Sequence, residues 1–406
     1  MEIKNIIYAS YDGLTDPLGQ SQILPYLFRL NLNKSYYITI ISFEKPQNYL
    51  LNNKLISKQL ATNKINWIPL KYTKRPPIIS TIWDIYKLKK AIKKISQSTK
   101  INLIHSRSYI TSLVALKINK KYNVPFIFDM RGFYADERVD GNIWNKNHFI
   151  YKRVYNYLKR KEKEFLQFTD TTISLTKAGK EEILSWDIPN LSTIQVIPCC
   201  SDELLFQEKN VREIRSKIGV NKNDFVISYV GSIGTWYMLD EMLDFFKLLH
   251  GKKSNSKLLF ITKDNPKLIL EKIKNKKIDI EAIKIQSSSR EMMPSYISAS
   301  NVSIFFILPL FSKKASCPTK MGEIMNLGIP IICNSGIGDV EEIMKLSMPE
   351  LLIEKFTNKE YNKIIDLIIN DFKIEKNKII EISHKYFSLK KGAEKFSNIY
   401  RQILNQ

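Results

Sequence analysis

The chain has 406 residues, 44% hydrophobic and 25% charged, which suits a folded globular protein of two ordinary domains. Its 63 Lys and Arg against 40 Asp and Glu leave a formal charge of +23, a balance that attracts anionic membranes, phosphorylated lipids or nucleic acid. Four cysteines without metal-ligand spacing and four scattered histidines speak against a zinc site and for idle thiols in a reducing compartment, and apolar runs such as 304–310 are far too short to cross a bilayer.

Residues 1–10 hold one acidic residue, one Lys and the strand-like run Ile6-Ile7-Tyr8 rather than a signal peptide, so the protein is expected in the cytoplasm. Strand patterns follow at 5–10, 37–43, 66–70, 103–106, 125–130, 171–175 and 193–198. Helical patterns at 20–31, 82–96, 109–121 and 147–168 lie between them. A second series of strands reads 225–230, 257–261, 283–286, 302–307, 331–334 and 351–353. Short strands alternating with helices imply parallel sheets with crossover helices, and two such series imply two doubly wound domains. The boundary falls near 198–202, after a strand ending in Pro198. Residues 374–404 are helical without a strand partner. The first 200 residues are the basic half, with 31 Lys and Arg against 15 Asp and Glu.

The first strand-to-helix loop runs from Tyr11 to Gln22 and contains Gly13 and Gly19. Gly19 allows a backbone to approach a ligand, and the following helix start can face a phosphate; the other reading is a plain surface loop. The strand ending His105-Ser106-Arg107 offers His105 either as a ligand contact or as a structural histidine. Next comes Asp129-Met130-Arg131-Gly132-Phe133-Tyr134-Ala135-Asp136-Glu137-Arg138. Three carboxylates and two arginines within ten residues are costly to bury unless they pair in an internal network or bind something. Two helices combine lysines with aromatic residues: 83–95 with Trp83 and Tyr86, and 147–168 with Tyr151, Tyr155 and Phe165. Each can dock on an anionic membrane or simply bury its apolar side.

In the second half, Val230-Gly231-Ser232-Ile233-Gly234-Thr235-Trp236-Tyr237 is again strand, glycine loop, helix, a pattern that lets backbone approach a diphosphate. Trp236 is either a core aromatic or a stacking platform. The loop Ser287-Ser288-Ser289-Arg290 precedes another helix as a serine-rich cap. The segment Ser316-Cys317-Pro318-Thr319-Lys320-Met321-Gly322-Glu323 then opens a short helix ending at Gly328 and a strand. Lys320 and Glu323 share one helix face, beside N–H groups that favour phosphate. A carboxylate there can accept two hydrogen bonds from a ribose diol. Ser335-Gly336-Ile337-Gly338-Asp339 adds a glycine turn at a strand's carboxyl end.

The string Glu323-Ile-Met325-Asn-Leu-Gly328-Ile-Pro330 resembles the nucleotide-sugar signature of the family 4 glycosyltransferases, which have the GT-B fold. The string from Asp16 through Gly19, Gln20 and Gln22 to Leu27 resembles the opening loop of many bacterial members, and 129–137 resembles stretches of bacterial sugar transferases. The resemblance covers nearly the whole chain. It implies an α/β fold of two Rossmann-like domains facing a cleft. The first would be 1–200 on the acceptor side, joined by a returning C-terminal helix at about 386–406; the second would be 201–385 and bind the nucleotide sugar. It implies donor contacts from Gly19, Gln20, Gly231, Ser232, Gly234, Thr235, Arg290, Ser316, Lys320, Glu323 and Gly336. Asp129, Arg131 and Lys320 would serve catalysis, and His105, Arg107, Glu137 and Arg138 the acceptor. Two departures stand out. The family's usual Arg and Lys are missing from the 231–237 loop, so Lys320 is their substitute, with Lys263, Arg290 and Arg131 as alternatives. A second Glu eight residues before Glu323 is replaced by Ala315, beside Ser316.

The activity implied is transfer of a hexose-type sugar from a nucleotide-diphosphate sugar to a hydroxyl, with retention and without a metal or other cofactor. The acceptor implied is a lipid-linked or surface-glycan precursor in polysaccharide biosynthesis. The protein would be cytoplasmic and peripheral at the inner membrane face, held by its basic half, and would not bind nucleic acid. The alternatives are a nucleotide-sugar epimerase on the same fold and a non-enzymatic basic binder of nucleic acid or membrane.

Overall fold

A computed structural model describes residues 3–32, 35–207, 211–370 and 375–405. It separates into two units, one of residues 1–198 with 389–406, the other of residues 199–388.

In the first unit the apolar runs become seven parallel strands: β1 (Lys4–Ser10), β2 (Tyr36–Glu44), β3 (Asn66–Lys71), β4 (Leu103–Arg107), β5 (Phe126–Asp129), β6 (Thr171–Ser174) and β7 (Thr193–Val196). They lie in the order β3-β2-β1-β4-β5-β6-β7. The sheet reverses its winding between β1 and β4, the position at which open α/β sheets bind ligands. Central strands are buried on both faces, which is why they read as continuous apolar runs: Ile6 pairs with Ile38 and Leu103. The second unit repeats the plan with β8 (Phe225–Val230), β9 (Ser256–Ile261), β10 (Ile283–Gln286), β11 (Val302–Phe305), β12 (Ile331–Asn334) and β13 (Leu352–Ile353), ordered β10-β9-β8-β11-β12-β13. Its reversal lies between β8 and β11.

The helix expected over 20–31 is two helices, Pro17–Gln22 and Leu24–Leu30, because Pro25 has no N–H to offer the carbonyl of Ser21. The helical tail is also two helices. Lys376–Tyr386 belongs to the second unit, and Leu389–Leu404 belongs to the first, where Phe396, Ile399, Tyr400 and Ile403 are buried. Tyr26 on Leu24–Leu30 meets Phe396 edge-on, with ring centroids 5.4 Å apart. Among the described residues no helix is long and apolar enough to cross a membrane.

Candidate functional site

Each unit gathers polar side chains at the carboxyl ends of its strands. In the first unit the centre is Asp129, the last residue of β5, which is 1% exposed. His105 Nε2 lies 3.5 Å and Arg107 Nη1 3.4 Å from its Oδ2, and Arg131 Nη1 lies 3.6 Å from its Oδ1. Burial alone would raise the acid's pKa, but Arg131, His105 and Arg107 together pull it down to about 2. Arg107 also reaches Asp12 of the first loop at 3.3 Å. His105 Nδ1 is 2.8 Å from the hydroxyl of Tyr400, on the C-terminal helix. Burial holds the imidazole below its ordinary pKa, against the pull of Asp129. Arg131 (φ 60°) and Gly132 (φ 124°) both take left-handed backbone, an unusual conformation for arginine. A small pocket there is lined by His105, Asp129, Arg131, Tyr8, Tyr400 and Phe396, among others.

The first loop is organised from within. Glu44, 3% exposed, accepts from the N–H groups of Leu14 (2.8 Å) and Thr15 (3.1 Å) and from the hydroxyls of Thr15 (2.5 Å) and Ser42 (2.6 Å). A Cβ on Gly19 would stand 2.1 Å from the carbonyl oxygen of Gly13. The close approach expected between Gly19 and a ligand is therefore an approach to the loop's own backbone. Gln20 Nε2 likewise donates to the Thr15 carbonyl at 3.0 Å. The start of that helix carries Asp16, which pairs with Lys45 at 2.6 Å. Glu137 and Arg138 sit half-buried on the helix Tyr134–Asp140, with Arg138 over the ring of Tyr134 at 4.8 Å. Asp136 of the same helix is tied to Tyr155 (2.7 Å) and Lys159 (2.9 Å), the internal pairing that the charge density of this stretch left open.

In the second unit, β8 is followed by Gly231 (φ 126°), where a Cβ would lie 2.9 Å from Lys320 Nζ. Gly234 (φ 88°) and Thr235 (φ 53°) turn the loop back, and the Met238 N–H bonds the Phe306 carbonyl at 3.0 Å. Ser232 is exposed, and its carbonyl accepts from the Tyr229 hydroxyl. Lys320 is 7% exposed. Its ammonium lies 3.7 Å from the ring centroid of Tyr237 and 4.3 Å from that of Tyr229, and no hydrogen-bond acceptor reaches it among the described residues. Aromatic faces attract a cation but do not replace an anion. Burial holds its pKa well below that of an ordinary lysine, opposed by the charge of Glu323.

Glu323, 5% exposed, is one turn further on the helix Thr319–Asn326, and its Oε1 is ion-paired with Arg290 Nη1. Arg290 in turn lies over the Phe206 ring at 4.7 Å. Arg290 is thus a partner of Glu323, while Lys320 is the cation left facing Gly231. Ser316 precedes this helix, and its N–H bonds the Lys313 carbonyl at 3.1 Å. Gly336 (φ 82°) lies against Pro309, whose Cβ a side chain would meet at 2.8 Å. Trp236 is half-buried under the ammonium of Lys313, 3.6 Å from its ring centroid. Sequence reading missed Glu44, Asp12, Tyr229, Tyr237 and Tyr400. Asp12 and Tyr237 stood inside loops already singled out, whereas Tyr400 had no local signal.

The model of glycosyl transferases group 1 matches residues 210–385, and that of glycosyltransferase family 4 matches residues 37–203. No curated protein matches. Among solved structures, sucrose-phosphate synthase from Thermosynechococcus elongatus aligns with TM-score 0.76 at 14% identity, over 99% of both chains. Anabaena Alr3699/HepE in complex with UDP and glucose aligns with TM-score 0.71 at 13% identity, over 98% of this chain and 99% of that one. UDP-GlcNAc 2-epimerase from Neisseria meningitidis aligns with TM-score 0.61 at 9% identity, over 99% and 100%. At these identities the likeness concerns the fold.

Proposed function

Because this chain is a glycosyltransferase of the family 4 and group 1 kind, with a GT-B pair of doubly wound sheets, we propose that its second unit binds a nucleotide-diphosphate sugar through Lys320 and Glu323 and that its first unit receives a hydroxyl acceptor. The carrying observation is the buried ammonium of Lys320, without an acceptor among the described residues and set against a glycine whose missing side chain leaves room beside it. A diphosphate placed there would neutralise it. Arg290 fixes one oxygen of Glu323, which leaves the other to accept from a ribose diol.

The chemistry is front-face displacement: the bond from the anomeric carbon to the nucleoside diphosphate breaks as the acceptor oxygen bonds that carbon from the same side, and the acceptor's proton passes to the departing phosphate oxygen. Fixed cations and the N–H groups at the start of Thr319–Asn326 would stabilise the charge on the departing diphosphate. With Lys320 supplying that charge, we assign the transfer no metal requirement, and we assign retention of configuration on the resemblance to family 4 alone. On the acceptor side we place His105, Arg107, Glu137 and Arg138, with Asp129 and Arg131 holding the centre of that pocket. Crystals of the Anabaena neighbour contain UDP and glucose, which is consistent with a uridine donor here.

The test is thermal stability of the full chain with UDP, GDP, ADP and their sugars. A ligand at a hundred times its dissociation constant stabilises by about 2.7 kcal/mol. That shift is expected for one base and should vanish in Glu323→Ala and Lys320→Met while both variants stay folded. No shift with any nucleotide, or an unchanged shift in both variants, sinks the donor site. Turnover that persists in EDTA supports the metal-free reading. Conversion of a nucleotide sugar without acceptor would instead make the protein an epimerase.

A further inference from the structure

The helix Ile79–Ser96 is turned inside out over its first two turns. Ser80 and Asp84 are buried, whereas Ile79, Ile82, Trp83 and Tyr86 are 64%, 61%, 54% and 52% exposed. Positions 79, 82, 83 and 86 follow the i, i+3, i+4, i+7 spacing of one helix face, so these four form a single outward stripe. Asp84 explains the inversion. Its carboxylate accepts from the Tyr11 hydroxyl at 3.0 Å and the Thr73 N–H at 3.1 Å, and pairs with Lys87 at 2.6 Å. The polar face is the anchored one, and the apolar face is left in water. Trp83 and Tyr86 stack with ring centroids 5.2 Å apart, so the stripe is a continuous apolar surface. Single exposed apolar residues are ordinary, but four in one contiguous stripe mark an interaction surface.

The charge around the stripe identifies what covers it. Asp84 is the only carboxylate in the helix, and it is buried and paired. The same outward face continues into exposed Lys90, Lys93 and Lys94, with Lys89 beside them. At about 1.5 Å of rise per residue, these lysines lie roughly 10–16 Å along the axis from Trp83. An apolar tip followed by cations at that stagger matches a bilayer, apolar at one depth and anionic a little further out. An RNA could stack on Trp83 and Tyr86 but would leave Ile79 and Ile82 in water.

The placement agrees. Crossover helices run antiparallel to their strands, so their first turns stand at the carboxyl edge of the sheet, where Asp129 lies. Two other crossover helices at that edge, Pro46–Thr62 and Phe149–Phe168, expose Leu50 and Leu51 (78% and 81%) and Phe149 and Ile150 (64% and 50%) near their starts.

We propose that this edge of the first unit docks on an anionic lipid bilayer, with the start of Ile79–Ser96 entering the headgroup–acyl boundary and Lys89, Lys90, Lys93 and Lys94 lying against lipid phosphates. The inference rests on the transferase reading only for its purpose, which is to present a lipid-borne acceptor to the first unit.

The experiment is co-sedimentation of the full chain, without donor or acceptor, with vesicles of phosphatidylcholine alone or mixed with phosphatidylglycerol. The wild type is expected to bind the anionic vesicles, and binding should weaken with salt. The double variant Trp83→Ser/Tyr86→Ser should lower that partition roughly tenfold. The quadruple variant Lys89→Gln/Lys90→Gln/Lys93→Gln/Lys94→Gln should lower it roughly a hundredfold or more and abolish the preference for anionic lipid. Equal wild-type binding to both vesicles, or variants that bind as the wild type does, overturns the proposal. So does sedimentation velocity showing a dimer that Trp83→Ser/Tyr86→Ser dissolves, because the stripe would then be a subunit contact. Nucleotide thermal shifts on the same preparations keep failure of the donor site separate from failure of docking.

Discussion

Lys320 is a cation in surroundings made for neutral groups, and proton linkage follows from that. Burial lowers its pKa, whereas a bound diphosphate would raise it again. Donor binding should therefore take up a proton wherever the free protein holds Lys320 neutral. Affinity for the nucleotide should be flat below the depressed pKa and fall as pH rises above it, by at most about tenfold per pH unit. Calorimetry in buffers of different ionisation enthalpy reads that uptake directly, and Lys320→Met should bind weakly with no uptake. Stability of the free protein runs the other way. The unfolded chain, with an ordinary lysine, binds more protons than the folded one between the depressed and ordinary values. Stability should then rise with pH through that window, and Lys320→Met should flatten the rise.

At the same scale, Asp129 selects a histidine tautomer that Tyr400 then satisfies. Asp129 stays ionised and needs a donor, so His105 presents Nε2–H toward it and Nδ1 accepts from the Tyr400 hydroxyl. Tyr400→Phe keeps the ring packing but leaves a buried nitrogen unsatisfied, at a cost of about 1–3 kcal/mol. Nitrogen-15 spectra should show the His105 Nδ1 signal shifting as it loses its donor while Nε2 stays protonated toward Asp129; an unchanged spectrum refutes the assignment. His105 and Tyr400 are 295 residues apart, and no spacing rule links them. The pair Lys320 and Glu323 was legible because one helical turn brings it together. Gly19 packs on its own loop, because a glycine announces a close approach without naming what approaches.

Elements were legible where apolar residues face the core and obscure where they do not. The central strands of both sheets are buried runs, and the strand positions in the sequence agree with the structure to within a few residues, even for β3, none of whose residues is buried. The helix Pro46–Thr62 buries only Ile56 and Leu60 and exposes Leu50, Leu51 and Leu55, so its pattern is blurred. The start of Ile79–Ser96 reads correctly as amphipathic, but tertiary bonds to Asp84 select the opposite face for burial. The helix Thr319–Asn326 is buttressed by Lys376–Tyr386, whose Ser383 hydroxyl bonds Asn326 at 2.6 Å. Gly322 lies at this contact, where an added Cβ would stand 2.8 Å from Phe387 Cβ. Gly322→Ala should destabilise the second unit by about 1–3 kcal/mol and weaken nucleotide binding by displacing Lys320 and Glu323. Thermal melts and nucleotide titration check both parts, and a variant as stable as the wild type refutes the packing argument.

Across the whole molecule, the two-sheet plan followed from the alternation of strands and helices, and the reversal points of both sheets coincide with the loops marked by charge and glycine. The first unit is also discontinuous, because its last helix, Leu389–Leu404, is encoded after the second unit. Ending the chain at Ser388 removes the buried Phe396, Ile399, Tyr400 and Ile403 and uncovers Tyr26, Leu27 and Leu30. The expected loss is on the order of 5 kcal/mol or more, confined to the first unit. Hydrogen exchange should show β1 and β4 losing protection in the truncated chain while β8 and β11 keep theirs.

That order of assembly has a consequence on the ribosome. The 190 residues from Cys199 to Ser388 must be translated before the last helix emerges. At roughly 5–20 residues per second this leaves the nascent first sheet with an uncovered apolar flank for about 10–40 s. Trigger-factor-like chaperones should crosslink to Tyr26 and Leu30 during that interval and release once the last helix has docked, and a gene fragment ending at Pro198 should yield inclusion bodies rather than a free-standing first unit.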